Sequence, residues 1–333
     1  MSVPRHVFDQ TVASLFAPVA SFLEGDEVSE IMINGHDEIY VEKRGKLYLT
    51  GSEFASEHAL MSALRNLSQF VGRELNPQSP ILEARLPDGS RVEAIIPPAA
   101  PSGPMVCIRR FRREQLTLGR LIELGSISRD TASLLRAILA RKDNVLVAGG
   151  GGSGKTSLLN ALASHASQDE RVVVIEDSQE LQVGLPHVVH LEAQPTNIRG
   201  SGGVTIRELL KATLRMRPDR IVIGEIRGGE ALDLIQAMTS GHRGCLSTIH
   251  ATLPIDTLRR LETMALMSDV DVPLNVLRAQ IASAVDTIIQ VARSSDGSRN
   301  VTHVSQVQGY GHESGYRVSH LFERSAESGD GNE

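Results

Sequence analysis

A glycine-rich octapeptide constrains the fold of this chain more than any other stretch. Residues 149–156 read Gly-Gly-Gly-Gly-Ser-Gly-Lys-Thr and match the phosphate-binding loop pattern G-x-x-x-x-G-K-[ST] without a mismatch. The apolar run 145–148 predicts a buried strand before the loop, and residues 157–162 predict a helix after it. This order surrounds an anion with backbone N–H groups and the positive end of a helix dipole. The alternative is a glycine-rich turn that matches by chance. The sequence predicts a nucleoside triphosphate site.

Each polar side chain of the loop has a predicted role. We expect Lys155 to reach the β- and γ-phosphates and the Thr156 hydroxyl to ligate Mg²⁺. The residues predicted to hold the nucleotide are Gly149, Gly150, Gly151, Gly152, Ser153, Gly154, Lys155, Thr156 and Ser157.

Composition argues against several other classes of protein. The chain has 333 residues, room for about two domains, and no apolar run long enough to span a membrane. A net charge of −6 and an aromatic content of 3% disfavour a nucleic-acid-binding surface over the whole molecule. Two cysteines far apart in sequence, Cys107 and Cys245, indicate reduced core residues. We expect a cytoplasmic protein that does not insert into a membrane and does not bind nucleic acid.

The sequence pattern changes once along the chain. Before residue 114, two helical stretches and several short alternating runs predict an α+β domain. From residue 130, buried strands alternate with helices, which predicts a mostly parallel sheet with helices on both faces. The expected organisation is α/β, with an N-terminal helix in 1–25, a smaller α+β domain in 26–113, a linker in 114–129, the larger domain in 130–324 and a disordered tail in 325–333.

An acidic segment follows the second strand of the larger domain. The strand 171–175 leads directly into Glu176, Asp177 and, shortly after, Glu180. In an open parallel sheet, ligands bind at the carboxyl ends of the strands. We therefore predict that these three acids support Mg²⁺, partly through water. The alternative is that they only solvate the end of the strand.

The next strand, residues 221–223, ends in Gly224-Glu225. Most P-loop hydrolases place an aspartate at the first of these positions, to hold the Mg²⁺ water shell, and a glutamate at the second. Here glycine replaces the aspartate, and the glutamate is kept. Glu225 is therefore the predicted general base, and metal support shifts to Thr156 and the 176–180 acids.

Histidine and arginine complete the predicted site. His250 follows the strand 245–249 and is expected to contact the γ-phosphate, whereas the role of His242, before that strand, stays open. Charge on a transferred phosphoryl group calls for arginine, and Arg91 and Arg109 are the candidates. Arg109 begins a run with Arg110, Arg112 and Arg113. A solvated basic strand and a nucleic-acid patch are the alternatives for this run.

Together these motifs resemble the secretion ATPase superfamily that powers type II and type IV secretion and type IV pili. The family's four motifs occur in order, as a Walker A motif at 149–156, an acidic box at 176–180, a Walker B motif with Gly for Asp at 221–225 and a histidine box at 241–250. The segments 31–35, 87–91 and 191–198 are similar to the Tad (CpaF-type) pilus assembly branch.

The resemblance implies a RecA-like ATPase domain, ATP as the nucleotide, and a homohexameric ring with nucleotide between the two domains. As a mechanism from the residues, we expect Arg91 and Arg109 to close the site and Arg215 and Arg217 to couple the two domains. The expected partner is a polytopic inner-membrane platform protein, which would place the chain at the cytoplasmic side of that membrane. The expected function is a motor for Tad/Flp-type pilus assembly or a related secretion machine.

Two other functions stay open at this point. A P-loop nucleic-acid translocase needs a basic pore or stacking aromatic residues, of which the sequence offers little. A nucleotide-gated scaffold without turnover needs an idle Glu225. A GTPase is disfavoured because the guanine-reading motif N-K-x-D does not occur.

Overall fold

The computed structural model describes residues 14–25, 27–43, 45–110, 116–194, 196, 202–294, 296–311 and 313–324. The chain forms two compact units, one with the described residues up to Arg110 and the other with nearly all of those from Leu116 on. Part of the predicted first helix, the second half of the 109–113 arginine run and the predicted tail 325–333 lie outside the described residues.

The first unit is built on one antiparallel sheet. Its strands are Val28–Asn34 (β1), Glu38–Lys43 (β2), Lys46–Leu49 (β3), Ile81–Arg85 (β4), Arg91–Ile95 (β5) and Met105–Arg109 (β6), and its helices are Ala17–Glu24 (α1) and Glu57–Phe70 (α2). The strand order is β3-β2-β1-β6-β5-β4. Helix α2 begins where the Ser56 hydroxyl accepts the Ala59 N–H, and it buries the stripe Leu60, Leu64 and Leu67 against the sheet.

The second unit contains an eight-stranded mixed sheet. Its strands are Val145–Gly149 (β7), Val172–Glu176 (β8), Val188–Glu192 (β9), Arg220–Ile223 (β10), Leu246–His250 (β11), Thr287–Arg293 (β12), Arg299–Gly311 (β13) and Gly315–Glu323 (β14). Its helices are Leu118–Glu123 (α3), Arg129–Ala140 (α4), Lys155–Ala163 (α5), Ile206–Thr213 (α6), Glu230–Thr239 (α7), Pro254–Ala265 (α8) and Leu274–Ala284 (α9).

The order of this sheet is β14-β13-β12-β7-β11-β10-β8-β9. The strands from β12 to β9 are parallel, and β13 and β14 are antiparallel. Alternate residues of a central strand enter opposite cores, so that Val145 and Val147 pack with α3, α4 and α5, whereas Leu146 packs with α6 to α9. The predicted α/β fold, with a mostly parallel sheet covered by helices on both faces, is confirmed.

Three elements differ from the expectation. The segment predicted as a linker contains α3, whose Leu118 and Leu121 are buried in the core of the second unit. Strands β9 and β14 were not predicted, and both lie at sheet edges, with no fully buried residue in either. Edge strands carry a weak apolar signal because one side of the strand has no neighbour. None of the described helices is long and apolar enough to cross a membrane.

Candidate nucleotide-binding site

The glycine-rich loop joins a fully buried strand, β7, to helix α5. A Cβ atom on Gly149 would lie 2.5 Å from Ser153 Oγ and 2.6 Å from the Val291 carbonyl oxygen, so that only glycine fits there. Gly154 precedes α5 with a φ of 95°, a left-handed conformation that favours glycine. Gly150 and Gly151, in contrast, face open space. The loop is thus packed on the sheet side and open on the side where a phosphate would bind.

Lys155 and His250 lie together at this open side. Lys155 Nζ donates to the Gly150 carbonyl at 2.8 Å and lies 3.4 Å from His250 Nε2. Burial lowers the pKa of both side chains, and the Lys155 ammonium lowers the pKa of His250 further. The predicted phosphate lysine and the predicted γ-phosphate histidine are therefore neighbours.

Glu225 follows β10 and lies beside this pair. Its Oε1 atom is 2.9 Å from His250 Nε2, yet it is buried and makes no hydrogen bond with a described residue. A buried acceptor without a donor is costly, and a water molecule is the smallest group that can satisfy it. Glu225 Oε1 is therefore a buried acceptor that a water molecule could satisfy, and its role as general base stays a prediction.

Arg227 occupies the other oxygen of Glu225. Its Nε donates to Glu225 Oε2 at 2.6 Å, and its Nη1 donates to Asp177 Oδ2 at 2.9 Å. One guanidinium thus bridges the predicted base and a predicted Mg²⁺-supporting acid. Arg227 was not predicted from the sequence, although its position two residues after Glu225, just before α7, is a local signal that points to it.

The environment of Glu176 does not suit the Mg²⁺-supporting role predicted for it. Its side chain is buried, and Oε1 accepts the backbone N–H groups of Glu180 and Leu181 at 2.9 and 3.0 Å. Burial raises the pKa of Glu176 to about 7, against the effect of these two hydrogen bonds. A buried carboxyl that shapes the 176–181 turn is poorly suited to direct contact with Mg²⁺.

The same side chain explains the unusual glycine at position 224. A Cβ atom on Gly224 would lie 3.0 Å from Glu176 Cγ and 3.5 Å from Glu176 Oε1. The buried glutamate of β8 therefore occupies the space beside β10 where an aspartate side chain would begin. The Gly224 carbonyl accepts the Thr248 hydroxyl at 2.6 Å, which ties this turn to β11.

The remaining residues predicted to support Mg²⁺ are Thr156, Asp177 and Glu180. Thr156 lies in the first turn of α5, and Asp177 follows β8 with 34% of its side chain exposed. Hydroxyl and carboxylate oxygens are the ligands that Mg²⁺ takes, and it is usually bound by one or two carboxylates together with water and substrate phosphates. The residues present fit a magnesium ion bound through Thr156 and Asp177 better than one bound through Glu176.

A cavity of about 330 Å³ opens beside these side chains. It is lined by Glu225, Ile226, Arg227, His250, Arg260 and Met264. A wider cavity of about 620 Å³ shares Arg227, His250 and Arg260 and extends to Gly149 and Gly150 of the loop. His250 thus borders both cavities, whereas Glu225 lines only the smaller one and the loop glycines line only the wider one.

Two further arginines, also missed from the sequence, approach the loop from the sheet. Arg299, the first residue of β13, donates from Nε to the Gly152 carbonyl at 2.8 Å, and its side chain packs over Gly154. Arg293, its cross-strand partner on β12, brings Nη1 within 3.5 Å of the position of a Gly152 Cβ. They follow the loop by more than a hundred residues, so no local pattern could have indicated them.

The arginines predicted to close the site lie in the first unit. Arg91 and Arg109 are cross-strand neighbours on β5 and β6, and Arg109 Nε donates to Glu30 Oε1 at 2.9 Å. Arg110 Nη1 donates to the carbonyl groups of Gly25 and Val28. The closing role of Arg91 and Arg109 stays a prediction.

His242 is separated from the site by the length of β11. It precedes the amino end of that strand, whereas His250 at the other end pairs in register with Gly149. Its Nδ1 atom is buried without a hydrogen-bond partner among the described residues. The two histidines of the predicted box therefore lie in different environments, and only His250 contacts the other predicted site residues.

The chain is similar in sequence to proteins of conjugal transfer and type IV secretion. The chain is similar to the conjugal transfer protein TrbB of Rhizobium radiobacter, with 32% identity over 292 residues that cover 86% of each chain. It is 33% identical over 310 residues to the type IV secretion system protein PtlH of Bordetella pertussis, covering 84% of this chain and 89% of the relative. The fold is also that of the Yersinia pseudotuberculosis ATPase DotB, with a TM-score of 0.60, 16% identity and coverage of 91% and 79%. The sequence profile of the type II/IV secretion system protein family matches residues 13–322, and the chain belongs to that family.

Proposed function

We propose that this chain hydrolyses ATP and works as a motor of a type II/IV secretion-class machine. The observation that supports the proposal most strongly is the buried Oε1 atom of Glu225, which makes no hydrogen bond with a described residue and lies 2.9 Å from His250 Nε2. A structural glutamate would be expected to use both oxygens. A general base instead keeps one oxygen for the water it activates.

The residues of the second unit divide the work of catalysis. Lys155 and the loop N–H groups bind and orient the phosphates. Thr156 and Asp177 would hold Mg²⁺, which would supply positive charge to neutralise the phosphates. Glu225 Oε1 accepts the proton of the attacking water. His250 would respond to the terminal phosphate, a role supported by its contacts with both Glu225 and Lys155.

Arg227 holds the Glu225 carboxylate in place. Its Nε donates to Glu225 Oε2 and its Nη1 donates to Asp177 Oδ2, so one guanidinium fixes both acids and leaves Glu225 Oε1 without a hydrogen bond from a described residue. Phosphate oxygens at the loop are alternative partners for this guanidinium.

For the machine that this motor serves, we propose Tad/Flp-type pilus assembly, with the chain as a homohexamer at an inner-membrane platform protein. The resemblance of residues 31–35, 87–91 and 191–198 to that branch supports it. A type IV secretion or conjugation motor is the second candidate, supported by the names of the relatives TrbB and PtlH. Co-purification of a pilus platform protein, as against a conjugation-channel component, separates the two.

Glu225→Gln tests the catalytic proposal. The amide keeps the size of the side chain but cannot act as a base, so turnover should fall by about 10²–10⁴-fold while ATP binding is retained. Phosphate release from the assembled protein with Mg²⁺ gives the turnover, and titration with a fluorescent nucleotide gives the affinity.

Glu123→Gln is the matched control, because Glu123 is an exposed glutamate on α3 with 67% of its side chain accessible. Equal turnover of wild type and Glu225→Gln would contradict the proposal and favour a nucleotide-gated scaffold. Salt-dependent DNA binding with turnover stimulated by DNA would instead favour a nucleic-acid translocase.

A further inference from the structure

The hairpin of β13 and β14 brings together three side chains that no step of the ATPase chemistry uses. His303, His320 and Glu323 each offer one ligand atom, and these atoms lie within 4.8 Å of one another. Among the described residues, no other group of three His, Cys, Asp or Glu side chains meets that distance. The cluster joins two strands of the second unit.

A register shift in the hairpin creates this cluster. His303 pairs directly with Glu323, and Ser305 pairs with His320, with the irregularity falling between Val304 and Ser305. Residues three apart on a regular strand point to opposite faces of the sheet. The extra residue on β14 instead lets His320 and Glu323 lie on the same face as His303, as bulges do where they redirect a side chain.

Hydroxyl groups orient both imidazole rings. His303 Nδ1 lies 3.1 Å from Thr302 Oγ1, and His320 Nδ1 lies 2.8 Å from Ser305 Oγ. Ser305 is fully buried, so its hydroxyl is held in place by the sheet. A hydrogen bond to one ring nitrogen fixes the ring and leaves the other nitrogen for a metal, as the second shell of histidine metal sites does.

The three side-chain atoms of the cluster indicate which metal ions it could bind. His303 Nε2 lies 3.6 Å from Glu323 Oε1, too far for a hydrogen bond and suited to two atoms that share a cation. Two imidazole nitrogens and one carboxylate oxygen bind zinc and related divalent transition metals, and they leave a fourth position for water. Ca²⁺ and Mg²⁺ prefer oxygen ligands and are disfavoured.

We propose that His303, His320 and Glu323 form a binding site for a divalent transition metal, with Zn²⁺ as the best fit. The metal links β14, the edge strand of the sheet, to β13. Because β13 begins at Arg299, which contacts the phosphate loop, the link also stabilises the strand that supports the loop. The site is independent of the ATPase assignment.

Zinc titration of the full chain tests the proposal. The protein is freed of metal with a chelator and titrated with Zn²⁺ against a chromophoric zinc chelator, with no nucleotide present. We expect one Zn²⁺ per chain, a higher melting temperature with zinc, and visible absorption of tetrahedral Co²⁺ when cobalt replaces zinc.

Variants locate the site. His303→Ala and His320→Ala should each weaken zinc binding by at least about 100-fold, because even the loss of an outer-shell partner costs about 10–100-fold. Glu323→Gln, which keeps the shape of an exposed side chain, should weaken it by a smaller factor. His36→Ala is the matched control, since His36 lies 3.7 Å from Asp37 but belongs to no group of three ligand side chains among the described residues, and it should not change zinc binding.

Two results would overturn the site. One is the failure of the wild-type chain to bind stoichiometric zinc. The other is zinc binding that survives in Glu323→Gln and in both histidine variants, each checked for native circular dichroism.

Discussion

The central strands of the second unit and its outer hairpin carry function in different ways. Every residue of β7, β8 and β10 is buried, and each of these strands leads into a site residue only at its carboxyl end. The hairpin of β13 and β14 is half exposed and carries polar residues along its length. Burial on both faces leaves a central strand no room for chemistry except at its end, whereas an edge hairpin can present side chains anywhere.

The difference also separates two kinds of contact with the phosphate loop. The loop directly follows the central strand β7, and Glu225 and His250 lie at the carboxyl ends of β10 and β11, where His250 is 3.4 Å from Lys155 of the loop. The hairpin contributes Arg299, whose guanidinium donates a hydrogen bond to the Gly152 carbonyl of the loop. We therefore expect substitutions at the ends of the central strands to change stability or nucleotide binding more than substitutions in the hairpin do.

The largest expected effect on stability concerns Glu176, the buried carboxyl at the end of β8. In the folded chain the pKa of Glu176 is raised to about 7 from an ordinary value of 4.5, so the folded state binds more protons than the unfolded state between these values. The contribution of this group to stability is present below pH 4.5 and is lost as the pH rises through about 7. Glu176→Gln, neutral throughout, should gain on wild type from pH 5 to pH 8 by up to about 3 kcal/mol, at about 1.4 kcal/mol per pKa unit.

Urea unfolding without nucleotide at pH 5, 7 and 8 measures this gain, with Glu123→Gln as an exposed control. A difference between variant and wild type that does not change with pH would mean that Glu176 stays ionised. That outcome would return Glu176 to the list of carboxylates available for Mg²⁺.

A smaller effect is expected at the end of β7. Gly149→Ala places a methyl group 2.5 Å from Ser153 Oγ and 2.6 Å from a backbone oxygen, so it should destabilise the chain by about 1–3 kcal/mol. Gly151→Ala, in the same loop, meets nothing within 4 Å and should stay within about 0.5 kcal/mol. Unfolding in urea without nucleotide compares the two, and equal losses would contradict the packing described for the sheet side of the loop.

The smallest effect is expected in the hairpin. Arg299→Ala removes the donor to the Gly152 carbonyl and one positive charge near the loop, and it should weaken nucleotide binding by about 10-fold, or about 1.4 kcal/mol. Arg317→Ala, an exposed arginine on β14, is the control. Titration with a fluorescent nucleotide measures both affinities. An unchanged affinity in Arg299→Ala would show that the hairpin does not support the loop.

Much of the site could be predicted because its signals are local. The loop, Glu225 and His250 each follow a short, continuous apolar run, and such a run indicates a central strand buried on both faces. The same rule predicted a Mg²⁺ role for Glu176, whose side chain instead turns inward to the N–H groups of Glu180 and Leu181. Edge strands β9 and β14 escaped prediction because their apolar pattern is weak.

By itself, the sequence determined that a phosphate loop follows a buried strand in an α/β unit, since spacing within a few consecutive residues dictates both. Only the tertiary structure decided that Glu176 occupies the space beside Gly224, that Arg227 bridges Glu225 and Asp177, and that Arg299 braces the loop. These contacts depend on strand order and side-chain direction. Both are set by how the sheet packs, and no local pattern encodes them.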